Sequence, residues 1–274
     1  MLIHGYLKKH IGGVLAGGRY AFSLPEIRAA FPQSDEAIKK ALQRLKSRQE
    51  IAQVRKEFYV ILPPEYKNKG MLPPAMFIEE LMKFLGRDYY VGLLNAAAFW
   101  GTTFDGSSGF SIITTKPTLR AIRAKDHTIN FNLKREWSNE DIVQMEVETG
   151  YINVSSPELT ALDLLFFMNK EEWFDHNAAV LEGLSYTMDA QKLVATAKRF
   201  PQISTLQRLG FLLDEVLQMQ SLSDPLAEYL KTVNYFPVVL FPEKIRPVRM
   251  ITGNKWKVVT PPTPSMTTYF PPGP

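Results

Sequence analysis

The chain has 274 residues, 45% hydrophobic and 22% charged, enough for one large globular domain or two moderate ones. It has no cysteine, which excludes disulfides, thiolate zinc sites and cysteine nucleophiles, and no apolar run near the roughly twenty residues of a membrane span or a signal peptide's core, so a cytoplasmic protein without membrane contact is expected. The net charge of +4 is unevenly placed: residues 1–70 carry thirteen Lys and Arg against six Asp and Glu, while the remainder is slightly acidic, as when one part meets a polyanion and the other does not.

In chain order, Leu2, Ile3, Tyr6, Leu7 and Ile11 predict a helix that Gly12-Gly13 can end. Arg19-Tyr20-Ala21-Phe22 reads as a short strand. Ser23 can cap a helix over Leu24 to Phe31, with Pro25 in its first turn. Ser34 caps the next, from Asp35 to about Arg48, with acids at its start and Lys46 and Arg48 at its end, as the helix dipole favours. Ile51 to Val54 and Phe58 to Leu62 form a hairpin around a basic tip, Arg55-Lys56-Glu57. This order predicts a winged helix-turn-helix over residues 1–70, whose last helix enters the major groove while its wing touches the backbone.

The helix from Asp35 carries the chemistry. Ala37, Ile38, Ala41, Leu42 and Leu45 share one face. The opposite face holds Glu36, Lys39, Lys40, Gln43 and Ser47, with Arg44 at the flank. Lys and Arg neutralise phosphate and donate to guanine, and Gln pairs with adenine. Arg55 and Lys56 can grip phosphate beside that site. Glu36 speaks against a phosphate at its own position and can instead accept from cytosine. The bland alternative is a solvated amphipathic helix in which Glu36 and Lys40 form an i,i+4 pair.

Pro63-Pro64 and Pro73-Pro74 bracket a polar stretch, where the domain boundary is expected. Beyond it, helices are predicted over Met76 to Leu85, ended by Gly86, and over Asp88 to Trp100. Strands follow at residues 109–115, 128–133, 143–147 and 151–154. Ser156 caps a helix through Leu165, and further helices cover about Trp173–Leu184, Asp189–Phe200 and Ile203–Met219. Strands at 248–251 and 256–259 would close a hairpin at Gly253-Asn254. The fold class is therefore α+β: an N-terminal winged helix-turn-helix, a larger mixed α+β domain over 71–260, and an uncharged tail over 261–274 with six prolines.

Four segments carry a resemblance. Asp88 to Gly101 (DYYVGLLNAAAFWG), Ser155 to Leu165 (SSPELTALDLL), Gln207 to Leu213 (QRLGFLL) and Lys255 to Val258 (KWKV) stand in the order and spacing of AbiEi-type antitoxins. The chain resembles that family from Gly18 to Thr260 and departs from it in the proline-rich tail and the large Phe99-Trp100 pair. The resemblance implies two tasks without catalysis. One is autorepression of a type IV toxin–antitoxin, or abortive-infection, operon by binding double-stranded operator DNA at inverted repeats. The other is neutralisation of a nucleotidyltransferase toxin, with or without a stable complex.

Enzymatic readings find little to hold. His4, His10, His127 and His176 lack metal-ligand spacing, and there is no Walker loop or dinucleotide glycine fingerprint, so no cofactor or metal is expected. Gly101 to Gly109 reads as a loop. Glu146 and Glu148 alternate on a strand, which leaves a DNA-directed, metal-dependent nuclease as one rival; an exposed strand face explains them more simply. A ligand-responsive regulator without a toxin partner is the other. Arg120, Arg123 and Lys125 read as an exposed helix surface or turn that could meet DNA or an acidic partner.

Overall fold

A computed structural model describes residues 2–103, 109–167, 172–240 and 253–260. It is a mixed α and β chain forming two compact units. Unit 1 is Met1–Val91, Ser107–Glu136 and Gln144–Asn153; unit 2 is Gly92–Gly106, Trp137–Val143 and Val154–Pro274. These bounds differ from the expected 1–70 and 71–260. The N-terminal elements share unit 1 with most of a large sheet, and the chain passes between the units more than once. The expected tail, 261–274, lies outside the described residues.

Unit 1 begins with α1 (Leu2–Ala16), β1 (Ala21–Ser23), α2 (Leu24–Ala30), α3 (Asp35–Ser47), β2 (Ile51–Arg55) and β3 (Phe58–Ile61). The first helix runs through Gly12-Gly13 and stops at Gly17-Gly18, where Gly18 takes a φ of 78°. Val14 and Leu15 pack on the local core, which holds the extra turn against two helix-weakening glycines. Strands β1, β3 and β2 form an antiparallel sheet in that order. Leu7, Ile11, Phe22, Leu24, Ile27, Ile38, Leu42, Leu45, Ile51 and Ile61 are buried together between helices and sheet.

A one-turn helix α4 (Pro64–Lys67) and α5 (Ile78–Leu85) follow, and Gly86 ends α5 in the left-handed conformation at φ 62°. Next comes a six-stranded sheet of β4 (Tyr89–Val91), β5 (Phe110–Thr114), β6 (Ile122–Ala124), β7 (His127–Leu133), β8 (Ile142–Val147) and β9 (Gly150–Ser155), in the order β6-β7-β5-β4-β9-β8. The predicted helix from Asp88 is corrected here. Tyr89-Tyr90-Val91 is a buried strand antiparallel to β5, and only α6 (Leu93–Phe99) is helical. Aromatic and β-branched residues fill an inner strand, and Leu93 at φ 56° breaks the backbone after it. Strand β6 replaces the expected helix surface or turn at Arg123.

Unit 2 surrounds α7 (Pro157–Phe166), which packs on α6, α8 (Glu172–Ser185), α9 (Ala190–Arg199) and α10 (Ile203–Phe211). Every α7 residue from Pro157 to Leu165 is buried, so the helix is enclosed on all sides rather than along one stripe, its polar Glu158, Thr160 and Asp163 included. Ser156 caps it, its Oγ accepting from Leu159 N at 3.2 Å. The Phe99-Trp100 pair finds room here, and Trp100 Nε1 donates to the Ser155 carbonyl at 2.8 Å.

The single helix predicted over 203–219 is corrected as well. It gives way to a π-turn over Leu212–Val216, and a further helix, α11 (Gln220–Leu230), follows. At the closing hairpin, residues 248–251 lie outside the described residues. Strand β11 (Val258–Val259) pairs in parallel with β10 (Val238–Val239). Asn254 shapes the approach to β11, its Oδ1 accepting from Trp256 N at 3.1 Å and Val258 N at 3.0 Å.

Candidate nucleic-acid interface

Helix α3 is positioned from below. Ser34 Oγ accepts from Ala37 N at 3.3 Å and fixes its start, and Ile38, Ala41, Leu42 and Leu45 are at most 3% exposed. Lys39, Lys40, Gln43, Arg44 and Ser47 then stand in solvent on the far face. Burying the apolar stripe fixes the helix's rotation about its axis, so the polar residues are presented as one strip.

The hairpin tip is held as tightly as the helix. Lys56-Glu57 make the turn, with a register shift between Gln53 and Arg55 and Glu57 at φ 63°. The Glu57 carbonyl accepts from Leu24 N at 2.8 Å, which ties the tip to the start of α2. Lys56 is exposed and Arg55 half-buried. The structure thus presents Lys39, Lys40, Gln43, Arg44 and Ser47 on one helix face, with Arg55 and Lys56 on a separate hairpin.

Several of these groups already have partners. Lys39 Nζ is 2.6 Å from Asp35, and Lys40 Nζ is 2.8 Å from Glu36. Ser47 Oγ donates to the Arg44 carbonyl at 2.9 Å, and Lys46 Nζ to Gln53 Oε1 at 3.3 Å. Arg28, a residue that sequence reasoning passed over, connects helix and hairpin: Nε is 2.6 Å from Asp35 and Nη1 is 3.3 Å from Glu57. Arg28 and then Lys39 hold the Asp35 carboxyl down at about 2. Only the order of acids and bases along α3 hinted at this network; the contact across 29 residues to Glu57 left no sequence signal.

The residues weighed for other chemistry are dispersed. Arg120, Arg123 and Lys125 are exposed in and beside β6, and a Cβ at Gly70 would stand 3.2 Å from Lys125 Cε. Glu146 and Glu148 are exposed, Glu146 on edge strand β8 and Glu148 just beyond it. His10 meets Phe31 edge to face at 5.3 Å, and His127 is half-buried. The side chains of His4 and His176 lie outside the described residues. Among the described residues no group of three potential metal ligands gathers, and no helix is long and apolar enough to cross a membrane.

Unit 2 has its own constellation around Trp256, which is wholly buried. Its indole lies on Gly210, and its Nε1 donates to Asp214 at 2.9 Å. Gln207 Nε2 donates to the carbonyls of Trp256 at 2.8 Å and Phe236 at 3.0 Å. Arg208 Nε donates to the Val239 carbonyl at 3.1 Å, and burial lowers the Arg208 pKa below its ordinary value. The QRLGFLL segment therefore acts as the seat for Lys255-Trp256-Lys257. At the start of α7, Glu158 is buried and accepts from Asp189 N at 2.9 Å, and the Thr160 hydroxyl donates to the Ser156 carbonyl at 2.7 Å.

Comparison with known proteins adds three findings. Residues 90–215 match the family described as AbiEi antitoxin C-terminal domain. A crystal structure of the RV2827C protein from Mycobacterium tuberculosis is similar over 93% of this chain and 91% of that one, with a TM-score of 0.63 at 12% identity, which shows a shared fold. No curated protein matches the chain.

Proposed function

We propose that the chain is an antitoxin acting against a toxin partner, a reading supported by the match of residues 90–215 to the AbiEi antitoxin C-terminal domain, and that it also represses its own operon by binding double-stranded DNA. In this reading residues 1–70 are a winged helix-turn-helix. Helix α3 enters the major groove, Gln43 and Arg44 read base edges, Lys39, Lys40 and Ser47 contribute polar contacts, and Arg55 and Lys56 hold the flanking backbone. Two copies meet inverted repeats. Residues 71–260 counteract a nucleotidyltransferase toxin without a catalytic step, in the cytoplasm.

The observation that supports DNA binding best is the exposed strip on α3 above a sealed apolar stripe. A core fixes the helix's rotation, and the polar residues left over match base edges and phosphates. The deciding experiment is a gel shift of the purified chain on the DNA upstream of its own reading frame, over a salt series. Binding that weakens steeply with salt supports the reading. No shift at low salt rejects it. Co-expression with a nucleotidyltransferase encoded beside it tests the toxin: restored growth supports that partner, and unrelieved growth arrest rejects it.

A further inference from the structure

The cations around α3 divide into two classes. Arg28, Lys39 and Lys40 are each paired with a carboxylate: Asp35 is shared by Arg28 and Lys39, Glu36 pairs with Lys40, and Glu57 with Arg28 again. Arg44 and Lys56 have no carboxylate in ion-pair reach among the described residues. Exposed pairs of this kind contribute little to stability. Their effect falls on whatever approaches α3, because Glu36 and Lys40 remain 77% and 71% exposed while paired.

A duplex presents two things to this surface. Its phosphates are the same in every sequence, and its base edges differ. Lys39, Lys40 and Arg28 meet a phosphate with a carboxylate beside them, whether they leave that acid or bridge from it to the phosphate. Each such contact is weaker and releases fewer counterions in total than one from an unpaired lysine, because the neighbouring carboxylate repels the strand. Gln43 is neutral and Arg44 unpaired, so their base contacts carry no such cost.

Resting on the DNA reading above, we propose that Asp35, Glu36 and Glu57 are specificity-determining residues: an anionic screen that suppresses backbone-only binding and leaves the base contacts to select the site. The screen follows from three acids placed among the cations of α2, α3 and the hairpin tip, each within 3.3 Å of one of them. It makes the salt dependence of binding shallower than the number of nearby cations suggests.

The test compares full-length wild type with Glu36→Gln, Glu57→Gln and Glu228→Gln. Glu228 is an exposed α11 acid paired with Lys231, so its variant makes the same change in net charge on a residue of unit 2. Affinity is measured by fluorescence anisotropy for the chain's own upstream duplex and for an unrelated duplex of equal length, across a salt series, with thermal unfolding checked for each variant. Glu36→Gln and Glu57→Gln are expected to bind the unrelated duplex about tenfold more tightly, their own duplex by a smaller factor, and to steepen the salt slope by about 1. Glu228→Gln should leave both unchanged. If wild type binds its own duplex and the unrelated one is unaffected by either variant, or Glu228→Gln strengthens it equally, the screen is overturned while DNA binding stands. If no protein binds either duplex, the DNA reading fails and takes the screen with it.

Discussion

The indole of Trp256 rests directly on the backbone of Gly210. A Cβ at that position would lie 2.0 Å from Cζ3 and 2.3 Å from Cε3 of the ring. The ring is wholly buried and tethered at Nε1, so it cannot swing aside. Gly210→Ala is therefore expected to destabilise unit 2 by about 3 kcal/mol, the upper part of the range for overpacking. Urea denaturation checks this; a midpoint shift smaller than that of a surface substitution would mean the contact is soft.

Asp214 links the same tryptophan to pH. Burial pushes its carboxyl up, but donation from Trp256, Lys255 and Ser223 outweighs burial and leaves it below the ordinary value. Folding thus favours the ionised form. Its stabilisation is present above the unfolded Asp pKa of about 3.9 and is lost as pH falls through the lower folded value. Asp214→Asn should flatten the loss of stability below about pH 4, while still accepting from Trp256. An unaltered acid limb in pH-dependent melting counts against this assignment.

On α3, replacing Lys40 or Gln43 with Ala is expected to weaken binding to operator DNA by about 1–3 kcal/mol. Lys40→Ala should act nearly uniformly across sequences, and Gln43→Ala should relax the choice of one base pair. Competition gel shifts with single-base operator variants distinguish the two patterns. Equal affinity of both variants and wild type would remove these residues from the interface.

Ser156 is buried and caps the central helix of unit 2. Ser156→Ala should cost about 1–2 kcal/mol, because the Leu159 N–H would lose its acceptor where water does not readily replace it. Ser156→Asp, which can still cap, should recover part of the loss. If both variants melt alike, the cap is not the source of the effect.

The parts of this fold legible in the sequence are those fixed by local rules. The stripe Ile38, Ala41, Leu42, Leu45 repeats at helical spacing, and Ser23, Ser34 and Ser156 each stand at a helix start as caps do. What escaped was set by distant partners. Tyr89-Tyr90-Val91 precedes an alanine-rich helix and reads as part of it; β5 and β9 on either side make it a strand. Strand β11 has a partner at Val238, twenty residues upstream of Val258, which no local pattern announced. At the candidate interface the exposed cations were legible, whereas Arg28 was not, because its two acids come together only when helix and hairpin pack.

Trp256 is among the last described residues to be synthesised, yet the hollow it fills is laid down at Gly210 and Asp214 well before. A nascent chain therefore carries all of unit 1 while the second unit still lacks its keystone. A nonsense codon or a proteolytic cut shortly before Trp256 would leave the same half-finished product. Such a fragment keeps every residue of unit 1 and lacks the buried ring around which the end of unit 2 is assembled.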